Sequence, residues 1–229
     1  MNWPTTGKIN VAIDGPAGAG KSTVARKVAE KLGYIYVDTG AMYRTVTLKA
    51  IRAGADMENA EALADIAGRV DIRLVPEAGG QKVFMDGEDV TDPIRAQDVT
   101  RLVSQVAAVP DIRSVLVRLQ QDIARERGVV MDGRDIGTNV LPDAEVKVFM
   151  TASVRIRAER RWKELKDKEP NVTVESLMEA IAERDKSDSE REASPLRQAE
   201  DAVLLDTSEM TADEAADRIV ELCRQALEV

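Results

Sequence analysis

Five short apolar runs punctuate the chain, at 9–13, 34–37, 129–131, 146–150 and 202–205. Each has the length of a buried strand. Among them lie stretches whose apolar residues recur every three or four positions, the spacing of one helix face. They are 23–32, 41–53, 59–68, 94–108, 111–127, 153–168, 174–189 and 212–228. Strands alternating with helices predict βαβ units around a parallel sheet. Gly33 suits the C-terminal cap of the first helix, and Thr211 with Glu214 three residues on is a capping-box signal for the last.

One segment breaks the alternation. Residues 70–75 alternate apolar and polar side chains, and Pro76-Glu77-Ala78-Gly79-Gly80 is turn chemistry. Lys82-Val83-Phe84-Met85 reads as a returning strand, and Asp86-Gly87 as a second tight turn. The expectation is a small antiparallel sheet, inserted between parallel strands as a lobe at the rim.

A chain of 229 residues holds one large α/β domain or two small ones. The net charge of −9 argues against a general polyanion binder, so any anion site must be a local arginine cluster. Aromatics are 3% of residues, which disfavours stacking of bases on an aromatic platform. Histidine is absent, which removes His-based triads and His metal sites. Cys223 is the one cysteine, so no disulfide forms within the chain, as suits a reducing compartment. It reads as a small core residue. No apolar run approaches the ~18 residues of a membrane span, and no apolar stretch follows a basic start. A cytoplasmic protein is expected, with residues 1–8 a loose terminus.

The sharpest chemical signal is Gly15-Pro16-Ala17-Gly18-Ala19-Gly20-Lys21-Ser22, which fits G-x-x-x-x-G-K-[ST], the Walker A phosphate loop. It lies between a strand and a helix, the arrangement that confirms such a match. Glycines let bare amide N–H groups approach phosphate oxygens, and the helix adds its positive end. Lys21 would face the outer phosphates and Ser22 would ligate Mg²⁺.

Three further segments read as chemical. Asp38-Thr39-Gly40-Ala41-Met42-Tyr43-Arg44 follows the second strand, where ligands bind in open α/β sheets. Arg44 there either meets a ligand anion or is a surface residue beside a capping Asp38 or Thr39. Asp132-Gly133-Arg134-Asp135 follows an apolar strand, as a Walker B Asp does, although a turn with a local ion pair would read the same way. Arg184, Asp188 and Arg191 are spaced to share one helix face, either at a site or in an exposed salt-bridged surface. The basic start of the helix at 155–163 is either a solvated face or part of the site.

Taken in order, these stretches resemble bacterial cytidylate kinases, of the nucleoside monophosphate kinase superfamily of P-loop kinases. The resemblance rests on Ile13–Thr23, Asp38–Arg44, Ser104-Gln105-Val106-Ala107-Ala108, Asp132-Gly133-Arg134-Asp135-Ile136-Gly137-Thr138 and Glu183-Arg184-Asp185. It runs from about residue 8 to the end. It implies a five-stranded parallel core at about 8–40, 102–154 and 171–229, a monophosphate-binding lobe at about 41–101 and a helical lid at about 155–170.

By the same resemblance, ATP is the phosphoryl donor with Mg²⁺, and CMP, with dCMP, the acceptor. The implied ATP contacts are Gly15, Pro16, Ala17, Gly18, Ala19, Gly20, Lys21, Ser22 and Thr23, with the metal at Ser22 and Asp132. Lys21, Arg134, Arg157 and Arg191 would act on the transferred group. Arg44 and Arg134 would hold the acceptor phosphate with Arg191 contributing, Ser104, Arg113 and Asp135 would read the cytosine, Arg184 and Asp188 would meet the ribose, and Thr39 and Tyr43 would also line the CMP site. Thr39 stands where many relatives carry Ser, with the hydroxyl kept. The stretch Lys186-Ser187-Asp188-Ser189-Glu190 is less arginine-rich than in some relatives. A monomer without nucleic acid or membrane partners is implied. The phosphate loop alone also allows a kinase of another small molecule or a nucleotide-binding module without catalysis. A GTP switch would need an Asn-Lys-x-Asp stretch, which the chain lacks.

Overall fold

Val11, Ala12 and Ile13 are apolar at consecutive positions, so the strand that holds them must be covered on both faces. That strand, β1 (Asn10–Asp14), is the centre of a five-stranded parallel sheet. Its companions are β2 (Ile35–Asp38), β6 (Val129–Gly133), β7 (Val146–Thr151) and β8 (Val203–Asp206), in the order β2-β6-β1-β7-β8. The computed structural model describes residues 7–77, 80–167 and 169–228.

Helices α1 (Lys21–Leu32) and α8 (Ala212–Leu227) cover one face of the sheet, where Val11, Ile13, Val130 and Val148 meet Val24, Val28, Ile219 and Cys223. On the other face Ala12, Val37, Val129 and Met131 pack with Ala124 of α5 (Pro110–Ala124). Helices α2 (Thr39–Arg52), α3 (Ala60–Arg69) and α4 (Gln97–Val106) close a further core with α5 around Met42, Leu63, Ile112 and Leu116. Gly33 is left-handed at the end of α1, and Thr211 and Glu214 form the capping box of α8.

The inserted antiparallel sheet is β3 (Ile72–Glu77), β4 (Gly80–Met85) and β5 (Glu88–Asp89). Pro76 and Glu77 pair with Gln81 and Gly80, so these residues extend the ladder where turn chemistry was expected. Ala78 and Gly79 of that turn lie outside the described residues, as do residues 1–6 of the terminus and Lys168 at the end of the predicted helix 153–168. Asp86 and Gly87 make the second tight turn, both with positive φ. Gln81 fastens this sheet to the core. Its amide donates to Tyr36 O and its carbonyl accepts from the Asp38 backbone N–H, both at 3.2 Å.

The single helix expected at 94–108 is two pieces. A 3₁₀ turn, Pro93–Arg95, precedes α4, and Ala96 between them is extended at ψ 156°. Helix α6 (Val154–Leu165) is shorter than the 153–168 pattern, and α7 (Val174–Glu190) ends before Arg191. Arg191 has ψ 140° and leaves the helix, so it does not share a helical face with Arg184 and Asp188 as the spacing suggested. The cause is local. Ser194 precedes Pro195, which disfavours helix, and the Leu196 N–H closes the end on Asp188 O at 2.8 Å.

Candidate active site

Parallel pairing sets the carboxyl ends of the strands side by side. Asp14 is opposite Gly133, and Asp38 is opposite Asp132. Three carboxylates thus gather at one edge of the sheet, directly before the phosphate loop, α2 and the turn after β6.

The loop itself is tightly seated. Gly15 has φ +147°, and a Cβ there would stand 2.0 Å from the backbone oxygen of Met150, so only hydrogen fits. Gly20 is left-handed and opens α1. Of the expected contact residues, Ala17, Ala19 and Lys21 are buried and Thr23 is exposed. Lys21 Nζ donates to Pro16 O at 2.8 Å, folding back over its own loop. Burial, with Arg134 nearby, brings its ammonium down to about 7, against the opposing pull of Asp132 and Asp14.

Ser22 Oγ donates to Asp132 Oδ2 at 2.9 Å, so the two oxygen ligands expected for a cation are neighbours. Burial and Asp38 push the Asp132 carboxyl upward. Tyr36 Oη donates to Asp132 Oδ1 at 2.9 Å, and Thr39 Oγ1 to its backbone oxygen at 2.7 Å. Hydroxyl and carboxylate oxygens suit a hard divalent ion such as Mg²⁺. Among the described residues no three Asp, Glu, Cys or His side chains cluster to hold one unaided.

A second group surrounds Asp135. Its Oδ2 accepts from Arg113 Nη2 and, at 3.0 Å, from Asn139 Nδ2. Arg191 Nη2 stands 3.7 Å from Oδ1 without a hydrogen-bond partner. Arg113 also donates to Ala107 O at 3.2 Å, just past α4, and lies 5.4 Å from the Tyr43 ring. The buried Tyr43 hydroxyl has no partner, and burial pushes it up to about 12. Ser104 is half-buried near the end of α4. Asp14 supports this group from below. It accepts from the backbone N–H groups of Ile136 and Gly137 at 2.8 and 2.7 Å, and burial raises it to about 6.

The third group is cationic. Arg44, Arg134 and Arg184 lie within electrostatic reach of one another. Arg44 and Arg184 are each brought down to about 10, first by burial and then in part by the neighbouring guanidiniums. Arg44 Nη1 donates to Thr100 Oγ1 at 2.8 Å, and Arg134 Nε donates to Asp188 Oδ2 at 2.8 Å. Arg184 Nε is buried and unpartnered. Half-buried cations that repel one another are an anion-binding arrangement.

Arg157 lies next to the phosphate loop. It is buried, and its Nε and Nη1 donate to Ala152 O at 2.9 Å and Ala17 O at 2.8 Å, while Nη2 pairs with Asp185 at 2.7 Å. All three nitrogens hold protein atoms, the loop oxygen of Ala17 among them. Sequence reasoning missed Tyr36, Thr100 and Asn139, whose partners are distant in the chain; it also missed Asp14 as a support, although Asp14 ends the strand before the loop.

A profile described as cytidylate kinase matches residues 11–225. Among curated proteins, the chain is 52% identical over 218 residues to the cytidylate kinase of Bacillus subtilis (strain 168), covering 95% of this chain and 97% of that one. Against the cytidylate kinase of Exiguobacterium sibiricum it is 52% identical over 220 residues, covering 96% and 99%. The crystal structure of an uncharacterized protein from Eubacterium ventriosum ATCC 27560 superposes with a TM-score of 0.51 at 14% identity, covering 96% of this chain and 99% of that one. That last likeness concerns the fold.

Proposed function

The chain belongs to the cytidylate kinase family, and from that premise we propose that it transfers the γ-phosphoryl group of ATP to CMP, giving ADP and CDP, with dCMP as a second acceptor. The observation that carries this reading is the meeting of two anion-seeking groups. The phosphate loop with Lys21 lies beside a set of mutually repelling guanidiniums, Arg44, Arg134 and Arg184. A donor polyphosphate and an acceptor phosphate are the ligands that would relieve both.

Phosphoryl transfer needs positioning and charge stabilisation more than covalent help. An ionised nucleotide phosphate is already a nucleophile, so the absence of histidine costs nothing. Lys21 and Arg134 would neutralise the migrating group, while Arg44 and Arg191 would hold the acceptor phosphate beside Thr39 and Tyr43. Asp188 and Arg184 would meet the ribose. Arg113, Ser104 and Asp135 would read the cytosine, since a carboxylate accepts from its amino group and not from the carbonyl of uracil. Arg157 would serve by bracing Ala17. Mg²⁺ would be held by Ser22 and Asp132, and when bound it neutralises phosphate charge.

On this reading, residues 41–101 are the monophosphate-binding lobe and 155–170 the lid, whose closure keeps water from the γ-phosphoryl group. A cytoplasmic monomer is the proposed state. The buried single thiol of Cys223 suits a reducing compartment.

The test is a coupled assay for ADP with purified protein, ATP and Mg²⁺, with and without CMP. ADP release that requires CMP and is much weaker with UMP supports the reading. Release independent of CMP overturns it.

A further inference from the structure

We propose that Asn139 is a positioning residue for base selectivity, fixing which oxygen of Asp135 is offered to the base. The inference deepens the reading above and rests on its assignment of Asp135 to cytosine.

Residues Ile136–Val140 form a single π-helical turn directly after Asp135. The turn folds back on the residue before it, for the backbone N–H groups of Asn139 and Val140 donate to Asp135 O at 2.9 and 3.2 Å. This return brings the Asn139 side chain beside the Asp135 carboxylate, where Nδ2 donates to Oδ2 at 3.0 Å. Asn139 stands at the ordinary i→i+4 spacing from Asp135, and the turn widens to the π bond only at Val140. The turn is anchored from behind by Asp14, which holds Ile136 N and Gly137 N, and from the side by Gln121, whose amide donates to Val140 O at 3.1 Å.

The chemistry follows from counting acceptors. The final torsion of Asp is soft and nearly two-fold, so a carboxylate held at one point can exchange its oxygens. Here two donors, from Arg113 and Asn139, converge on Oδ2. Oδ1 keeps its accepting capacity, and the unpartnered Nη2 of Arg191 stands 3.7 Å from it. An acceptor and a donor are thus presented next to each other. Cytosine offers the complement, an amino donor beside a ring-nitrogen acceptor, whereas uracil offers a carbonyl beside an N–H. Without Asn139, Asp135 would keep Arg113 and lose the second point that stops its rotation. The residue itself is exposed, so its removal leaves the core intact.

The experiment compares wild type, Asn139→Ala and Asn139→Gln in steady-state kinetics with CMP and UMP, together with thermal melting. For Asn139→Ala the ratio of kcat/KM for CMP over UMP is expected to fall about three- to tenfold, the value of one ordinary hydrogen bond, because Arg113 still holds Oδ2. The loss should appear as a higher KM for CMP, with KM for ATP and the melting temperature unchanged. Asn139→Gln, which keeps the amide, should restore part of the ratio. An unchanged ratio in Asn139→Ala overturns the proposal, and so does an equal loss for both bases accompanied by a lower melting temperature. A wild-type enzyme that does not prefer CMP would instead bring down the assignment of Asp135, and this inference with it.

Discussion

Arg134 and Asp188 form an ion pair of 2.8 Å that ties the turn after β6 to helix α7. The carboxylate is buried, and Arg134, with its neighbours Arg184 and Arg191, holds it below the usual carboxylate range against the effect of burial. The pair joins the residue proposed for the transferred group to the one proposed for the ribose. Arg134→Ala should therefore reduce kcat/KM for CMP by about 2–4 kcal/mol, and Asp188→Ala should cost a comparable part through Arg134. In a double-mutant cycle the two losses should overlap by about 1–3 kcal/mol. Strict additivity would show that the pair has no shared role in the reaction.

Lys21 should take up a proton when polyphosphate binds. Its ammonium is lowered to about 7 in the ligand-free protein, chiefly by burial. A charged phosphate nearby stabilises the protonated form, so the affinity for ATP should fall as pH rises above 7. Calorimetry at about pH 8 in buffers of different ionisation enthalpy should give an uptake of up to about one proton, absent in Lys21→Met. Equal uptake in the two proteins would move the effect elsewhere. Lys21→Ala should also cut turnover by about 100-fold or more with the fold intact.

Asp135→Asn should narrow the preference for CMP over UMP. An amide both donates and accepts, so it can meet uracil's carbonyl as well as cytosine's amino group. The measurement is the ratio of kcat/KM values, and a ratio equal to the wild type's would show that the base is read by other residues.

Asp14 makes stability depend on pH in an uncommon direction. Burial raises its carboxyl from 3.8 to about 6 although two N–H groups donate to it. The folded state therefore holds this proton more tightly than the unfolded chain does. The associated stability is complete below about pH 4 and lost as pH rises through about 6, a change of about 3 kcal/mol for a shift of this size. Asp132 moves in the same direction, so the comparison must be with Asp14→Asn. Between about pH 4 and 6.5, urea unfolding should show wild type losing stability relative to that variant. Parallel curves would contradict the assignment.

The five core strands are legible because each is a short, mostly apolar run, interrupted only by Asn10 in β1 and Lys147 in β7. Their polar ends are not, since Asp14 and Gly133 belong to strands only through their partners. The phosphate loop is legible because its chemistry is local. Arg44, Arg134 and Asp135 could be placed at strand ends from sequence, but the repulsion that marks Arg44 and Arg184 as anion seekers exists only when distant elements meet. The burial of Arg157 was not legible. A basic residue at the start of a helix signals an exposed charge, whereas here the backbone oxygens of Ala17 and Ala152 draw it inside. The spacing of Arg191 from Arg184 and Asp188 places it on their face only if the helix runs on, and the chain is already extended at Arg191, ahead of Ser194 and Pro195.

That buried guanidinium of Arg157 ties α6, α7 and the phosphate loop at Ala17 into one mechanical linkage. A hinge movement of the helix pair must either carry the backbone at Ala17 with it or give up a bond between buried groups. Were the loop to grip a polyphosphate, that grip and the attitude of the two helices would be coupled through the separate nitrogens of one guanidinium.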